Sequence, residues 1–417
     1  MQVRILVYDR TRRSILANEA HIMFLTAILV LSTIALVALA SLMHSFFATF
    51  RKVSSCTIAN DQLPSISVIV PVRNEETKIA RCLESLAKQD YPNFEIVVID
   101  DNSTDASGRI IADIAARHAN FKVIQGRESR PGWLGKCNAL DHGTPQAKGE
   151  WLVFSDADTY HHPNSLRDAV GAAINYKVDM ISFMPVQELY SFSERIVMPT
   201  LLGSFLIGDP SNSINDPKSS RAYAYGQYIM VRRTTYDAIG GHESVKDQIL
   251  DDISIGRVTK EKGFSVTACD GRPLYTVRMY SNFPEVWSGW TKNAYAIINC
   301  NIVGLIGIIV LLNLWFVAPF LTLATATFAP QLFSNTIQMP AVWLLIGTQF
   351  ISLIYWYARS TAFYKGLEPL LLYFFLLPLG AISVSALYIN SASCFLTGKQ
   401  VKWKDRDYSV DSTQRIS

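Results

Sequence analysis

The strongest constraint on this chain is where its charges are missing. Residues 22–43 (IMFLTAILVLSTIALVALASLM) hold no Asp, Glu, Lys or Arg. A helix rises 1.5 Å per residue, so about 20 apolar residues cross a hydrocarbon core of roughly 30 Å. A cleaved signal peptide is the other reading, but its apolar part is usually about 7–15 residues and follows a short basic lead. Three more such runs close the chain: 302–323, 341–357 and 370–390, interrupted by Asn313, Pro319, Pro378 and Gly380. Breaks of that kind are tolerated in membrane helices where neighbours satisfy the freed backbone groups. Residues 60–300 contain no comparable run. The expectation is a soluble-type unit hung between anchors in a cell membrane, crossing it more than once. Its divisions are a tail and anchor (1–62), the soluble unit (63–276), an aromatic interfacial segment (277–300), membrane helices (301–396) and a basic tail (397–417).

Composition narrows the classes. Hydrophobic residues make up 49% of the 417 and charged residues 18%, against about 25% charged in soluble domains. A disordered, fibrous or small disulfide-stapled chain is excluded. A net charge of +3 gives no basic excess of the kind nucleic-acid binders carry, so no nucleic acid is expected as a partner. The six cysteines have no metal-ligand spacing and suit a reducing compartment. Orientation is ambiguous. Arg4, Arg10, Arg12 and Arg13 precede the first run, Arg51 and Lys52 follow it, and Lys399, Lys402, Lys404 and Arg406 lie in the tail. One pass before the soluble unit and three after it would put both tails opposite that unit. That conflicts with a basic C-terminal tail, since positive charge marks the cytoplasmic side. Either one C-terminal run is re-entrant, or 297–329 holds two short passes.

Within the soluble unit, 66–71 (ISVIVP), 95–99 (EIVVI), 121–125 (FKVIQ) and 151–155 (WLVFS) read as buried parallel strands. Between them, 75–90, 105–119 and 137–148 read as helices, the first with Ile79, Leu83 and Leu86 on one face and Glu75 and Glu76 in its first turn. Alternation of this kind predicts an α/β fold, an open, mostly parallel Rossmann-like sheet with helices on both faces. Ligands of such sheets bind beyond the carboxyl ends of the strands. Those ends are acidic here: Asp100 and Asp101 after one strand, Asp156 and Asp158 after another. No glycine-rich phosphate loop is present, so a carboxylate-held Mg²⁺ or Mn²⁺ is the expected partner for a diphosphate.

Each acidic group has a plainer alternative. Asp156 and Asp158 flank one residue and suit a divalent cation, or else a solvated turn or helix cap. Asp100 and Asp101 suit a nucleobase or ribose, while Asn102 or Ser103 caps the following helix. Asp251 and Asp252 open a helix that ends at Gly263, and there they serve as a general base or merely complement the helix dipole. Lys136, beside Gly132 and Gly135, suits a phosphate or is an ordinary surface lysine. Arg278, Trp287 and Trp290 belong to an aromatic and cationic stretch that either lines an acceptor entrance or forms a plain interfacial belt. His161 and His162, just after the Asp156–Asp158 strand, fit a solvated turn.

The ordered series VIVPVRNEE (68–76), VVIDDNSTD (97–105), GKCNAL (135–140), FSDADT (154–159), GGH (240–242) and LDD (250–252) resembles the family 2 glycosyltransferases of GT-A fold. PGWLGK (131–136), AYGQYIMVRR (224–233) and RMYSNFPEVWSGWTKN (278–293) look most like the membrane enzymes acting on carotenoid- and hopanoid-type lipids, with ceramide glucosyltransferase more distant. The resemblance implies a GT-A nucleotide-sugar-binding unit that transfers one sugar, with inversion, from a UDP-sugar donor to a lipid hydroxyl acceptor at the cytoplasmic face of the bilayer. It implies donor contacts at Pro71, Asn74, Glu75, Asp100, Asp101, Lys136 and Asp156, and metal ligands at Asp158 and Asp156. It also implies catalysis by Asp252, with Asp251 beside it, and an acceptor side at Arg278, Trp287 and Trp290. The QxxRW motif of processive synthases is absent, and the tail VKWKDRDY (401–408) has Asp405 where the family's WKGRxY has glycine. A polysaccharide synthase and a non-catalytic scaffold remain as alternatives.

Overall fold

The computed structural model describes residues 2–205, 213–216, 218–219, 221–333, 339–399, 401–403 and 406–408, with side chains for those from 20 to 399 other than 205 and 213. In chain order the first half comprises α1 (Gln2–Thr49), β1 (Arg51–Lys52), β2 (Ile66–Val72), α2 (Ile79–Ala87), β3 (Phe94–Asp100), α3 (Ser107–Ala115), β4 (Phe121–Gln125), α4 (Gly135–Gly143), β5 (Trp151–Ser155), β6 (Thr159–His161) and α5 (Ser165–Asn175). There follow β7 (Met180–Met184), β8 (Val186–Glu188), α6 (Phe192–Phe205), β9 (Tyr228–Arg232), α7 (Arg233–Ile239), α8 (Asp251–Glu261), β10 (Val266–Asp270) and β11 (Tyr275–Val277). The rest is α9 (Phe283–Ile297), α10 (Ile302–Phe316), α11 (Ala318–Phe328), α12 (Met339–Ser360), β12 (Tyr364–Lys365), α13 (Leu370–Phe375), α14 (Leu377–Thr397), β13 (Val401–Trp403) and β14 (Arg406–Tyr408).

Eight strands form the main sheet in the order β1-β10-β7-β9-β5-β2-β3-β4. All pairs are parallel except those of β9, which runs antiparallel to both β5 and β7. The central strands are buried on both faces because they are apolar at most positions. Val68, Val70, Ile96 and Val98 face α2, α3 and α5, while Ile69, Val97, Ile99 and Phe154 face α4, α7 and α8. That is the expected signature of strands covered by helices on each side. The helix expected from residue 75 starts later, at Ile79. The backbone N–H groups of Glu75 and Glu76 are taken instead by Ser107 Oγ (2.8 Å) and Asp105 Oδ2 (3.0 Å), which knits the β2 exit to the β3 exit.

A second sheet, β12-β8-β11-β6, lies below the first. Its edge strand β12 comes from the membrane half, where Tyr364 and Lys365 pair in parallel with Gln187 and Glu188. Contacts order the apolar helices by depth. His44 bonds Tyr355 (3.0 Å), and Gln349 bonds both Leu29 O (3.0 Å) and Thr33 (3.2 Å), so α12 runs parallel to α1 and ends beside the soluble unit. The far end is a small cluster of Leu29, Ala326, Phe333 and Val342. The path from α10 through α11 therefore leads away from the soluble unit and α12 leads back. Beyond β12, α13 and α14 fold against α6, α9 and α10, where Ser391 Oγ bonds Thr291 O (2.6 Å) and Asn313 bonds Ser385 (3.2 Å). β13 returns to α9. Both ends of the α13–α14 stretch thus pack beside elements of the soluble unit and the helix that follows it. Lys404 and Asp405 lie outside the described residues.

Among the described residues, three helical segments are long and apolar enough to cross a membrane: Ile22–Thr49, Met339–Phe363 and Leu377–Thr397. The helices α9 and α10 are bent by 118° at the break between them.

Candidate active site

A small open pocket lies at the carboxyl ends of β2 and β5, between α4 and α8. Pro71, Lys136, Asp156, Gly226, His242 and Asp251 are among its lining residues. Three distant parts of the chain meet there. Lys136 Nζ, on the first turn of α4, lies 2.8 Å from Asp156 Oδ1 and 3.7 Å from Asp251 Oδ2. Burial works against its charge, but the carboxylates of Asp156, Asp251 and Asp252 outweigh it and hold the lysine pKa well above its ordinary value. The ammonium is therefore charged at every working pH and holds the acidic cluster together.

Asp251 and Asp252 occupy the first turn of α8, where exposed backbone N–H groups favour a carboxylate. Asp252 Oδ1 accepts from its neighbour Ile253 N (2.9 Å) and Oδ2 accepts from Gly226 N (3.1 Å). A Cβ on Gly226 would stand 2.7 Å from that same oxygen, so only glycine lets the segment approach. Burial and the adjacent Asp251 charge push Asp252 up to about 6, against a partial pull downward by Lys136. A carboxylate with that value is ionised at neutral pH yet a stronger base than a free aspartate.

Asp156 and Asp158 flank the turn between β5 and β6. The turn is pinned from below, where Thr159 Oγ1 donates to Asp156 O (2.8 Å) and touches His161 Nε2 (3.1 Å). His161 departs from the solvated-turn expectation. It is 1% exposed in β6, stacked on Tyr275 and edge-on to Tyr228, and burial drops its pKa to about 3. It is a neutral strut, invisible in sequence because β6 has only three residues. His162 is half-buried and bonds Pro273 O through Nδ1 (3.1 Å).

The β3 exit behaves differently. Asp100 Oδ1 accepts from Ser103 N (3.0 Å), and its other oxygen lies against Gly108 in the first turn of α3. Asp101 is 3% exposed. The expected capping of α3 by Asn102 or Ser103 does not occur; Asp105 Oδ1 receives Ser107 N instead (2.9 Å). Asn74, at φ 50°, accepts from Thr104 N (2.9 Å), and Glu75 is buried beside Lys78. These residues wall the site rather than line the cavity. On the membrane side, Trp290 is 5% exposed and packs among Leu250, Tyr280 and Val286. Trp287 is half-buried against Phe283, and Arg278 N donates to Asp158 O (3.1 Å).

Residues 67–239 match the family model described as Glycosyl transferase family 2. The soluble unit is a family 2 glycosyltransferase. A 4,4'-diaponeurosporenoate glycosyltransferase of Staphylococcus aureus (strain USA300) is 27% identical to this chain over 361 residues, 84% of its length and 90% of that protein. A solved mannosyltransferase from Pyrobaculum calidifontis, in complex with GDP-Man and Mn²⁺, shares the fold. It matches at a TM-score of 0.51 and 20% identity, over 92% of this chain and 99% of that one.

Sequence reasoning brought Pro71, Lys136, Asp156 and Asp251 to one cavity in the glycosyltransferase, with Asp252 held behind Gly226. It gave no role to Gly226 or His242, although both stand in quoted motifs. The sequence cue for His242 was the doublet Gly240-Gly241, whose φ values of 85° and 56° turn the histidine inward against Phe154 and onto Tyr236 OH (2.8 Å).

Proposed function

We propose that this glycosyltransferase is a multi-pass membrane enzyme that moves one sugar, with inversion, from a UDP-sugar to a membrane-lipid hydroxyl at the cytoplasmic face. The observation that carries this reading is the convergence of Lys136, Asp156 and Asp251 on one cavity, with Asp252 next to it behind Gly226, in a chain whose flanking helices are apolar enough to cross a membrane. A water-soluble donor and a bilayer-bound acceptor can meet only at a membrane boundary.

The turn residues fit a divalent cation. Asp156 and Asp158 offer hard carboxylate oxygens, and no group of three or more acidic, His or Cys side chains forms a closed cage among the described residues. Mg²⁺ and Mn²⁺ suit sites of one or two carboxylates completed by substrate phosphate and water. Such an ion supplies charge neutralisation for the departing diphosphate. The acceptor hydroxyl attacks the anomeric carbon and the carbon–oxygen bond to the diphosphate breaks. The hydroxyl proton passes to Asp252, whose orientation is set by Gly226 N and Ile253 N. Lys136 keeps the carboxylates from repelling an anionic donor.

A cytoplasmic catalytic side is supported by the basic residues gathered there. Arg51, Lys52 and Lys399 stand at helix ends beside the catalytic unit, and positive charge favours that face. The arginines at 4–13 stand at the opposite end of α1 and pull the other way. A single cysteine placed in the 401–408 tail, labelled in sealed vesicles of known orientation, reads the side directly.

The test of the reaction uses purified full-length protein in detergent with Mn²⁺, bacterial lipid extract and a panel of radiolabelled nucleotide sugars. Label should pass from a UDP-sugar into the organic phase and fail to do so with Asp252→Asn. Label from GDP-mannose alone would overturn the uridine assignment, and unchanged transfer by the variant would overturn the base.

A further inference from the structure

Arg278 stands next to the Asp156–Asp158 turn and keeps a buried donor without a hydrogen bond. Its backbone is locked to the Asp156–Asp158 turn through the bond to Asp158 O (3.1 Å). Its side chain points toward the start of α6, where the guanidinium lies 5.0 Å from the Tyr190 ring centre. The nearest acid is Glu194, with Oε1 3.8 Å from Nε, too far for a hydrogen bond. Nε is buried without a hydrogen-bond partner. Glu194 is committed elsewhere, since its Oε2 accepts from Ser191 N (2.6 Å) and Tyr190 N (3.2 Å).

Several other arginines of the unit are spent. Arg81 makes two 2.7 Å bonds to Glu188. Arg127 and Arg130 share Asp141 at 2.6 and 2.5 Å, and Arg272 reaches Asp270 at 2.6 Å. A guanidinium presents five donors in a planar fork matched to carboxylate or phosphate oxygens. Holding one partly desolvated, with its donors unmade, costs free energy unless a ligand completes it. Here the side chain is one-third exposed, so a ligand can reach it. The aromatic face of Tyr190 holds the fork in place without consuming a donor. A second cation stands nearby, because Lys78 Nζ bonds the next carbonyl, Met279 O (2.9 Å).

The geometry points to Arg278 as the receptor for a substrate oxyanion beside the metal turn, on the membrane-facing rim of the site. This rests on the glycosyltransferase reading above. The oxyanion comes either from the donor diphosphate or from an ionised headgroup on the lipid. In either case Arg278 is a specificity-determining residue and more than part of an interfacial belt.

The test uses the full-length protein in detergent and the variants Arg278→Met and Arg278→Lys. Calorimetry compares UDP with uridine, with and without Mn²⁺, and transfer kinetics compare an acidic with a neutral lipid acceptor. If the diphosphate is the ligand, Arg278→Met weakens UDP at least tenfold and leaves uridine unchanged. If the lipid headgroup is the ligand, UDP is unchanged while KM for the acidic acceptor alone rises at least tenfold. Arg278→Lys recovers part of either loss. Tyr190→Leu, which leaves the cation but removes its platform, should show a smaller loss in the same arm. Equal weakening of UDP and uridine, or no change in either arm, overturns the proposal. Absence of UDP binding and of transfer in the unmodified protein would instead sink the glycosyltransferase reading itself.

Discussion

Two acidic strand exits in this protein look alike in sequence and do different work. At the β3 exit, Asp100 and Asp101 are buried, and the Asp100 carboxylate is satisfied by the amide of Ser103 and packed on α3. At the β5 exit, Asp156 opens onto the cavity, bonded to a lysine from another element, with Asp251 at the lysine's far side. The first arrangement builds a loop. The second stores charge that a ligand can use. What separates them is whether the carboxylate's partner is a local backbone N–H or a charged side chain from elsewhere in the chain.

The contrast can be broken by substitution, beginning with the largest effect. Asp252→Asn should cut transfer by about 10³-fold, the range of general-base loss, with UDP affinity nearly unchanged in calorimetry. Normal turnover would end the assignment. Gly226→Ala should cost about 10²-fold in kcat, as sub-ångström misplacement of a reacting group does, because the new methyl collides with the Asp252 carboxylate. Donor affinity should again hold. Asp158→Ala should remove the enhancement of UDP binding by Mn²⁺, a loss of about tenfold or 1.4 kcal/mol, and a retained metal response would shift that role elsewhere.

The pH profile sharpens the same contrast. Asp252 must be ionised to accept a proton, and its value of about 6 lies above that of a free carboxylate. The rate should therefore be flat above pH 6 and fall about tenfold per unit below it. Lys136→Met removes the cation that lowers this value, so the break should move upward. A profile unmoved by that change would separate Lys136 from the base. The smallest effect on transfer belongs to the β3 exit. Asp100→Ala should lower stability by about 1–3 kcal/mol, the cost of an orphaned buried amide, as read by thermal unfolding. A large loss of donor affinity with unchanged stability would show that Asp100 contacts the nucleotide after all.

Much of this organisation was legible without coordinates. The β-branched runs placed β2, β3, β4 and β5 to within a residue of their observed bounds, because a strand covered on both faces has to be apolar throughout. The long charge-free runs located α1, α12 and α14, because hydrocarbon admits no unpaired charge cheaply. The positions of the acids and of Lys136 were also visible, since chemistry at the carboxyl ends of a sheet needs those residue types. Three things were decided only in three dimensions. The reversed strand β9 and the three-residue strands β6, β8 and β11 are too short or too ordinary to carry a period. The return of α13–α14 to the soluble unit rests on β12 pairing with β8 and on α14 packing against α9; hydropathy records length and not direction. Which aspartates face the cavity, and which acids the arginines reach, depends on partners that lie far apart in sequence and meet only when the sheet closes around them.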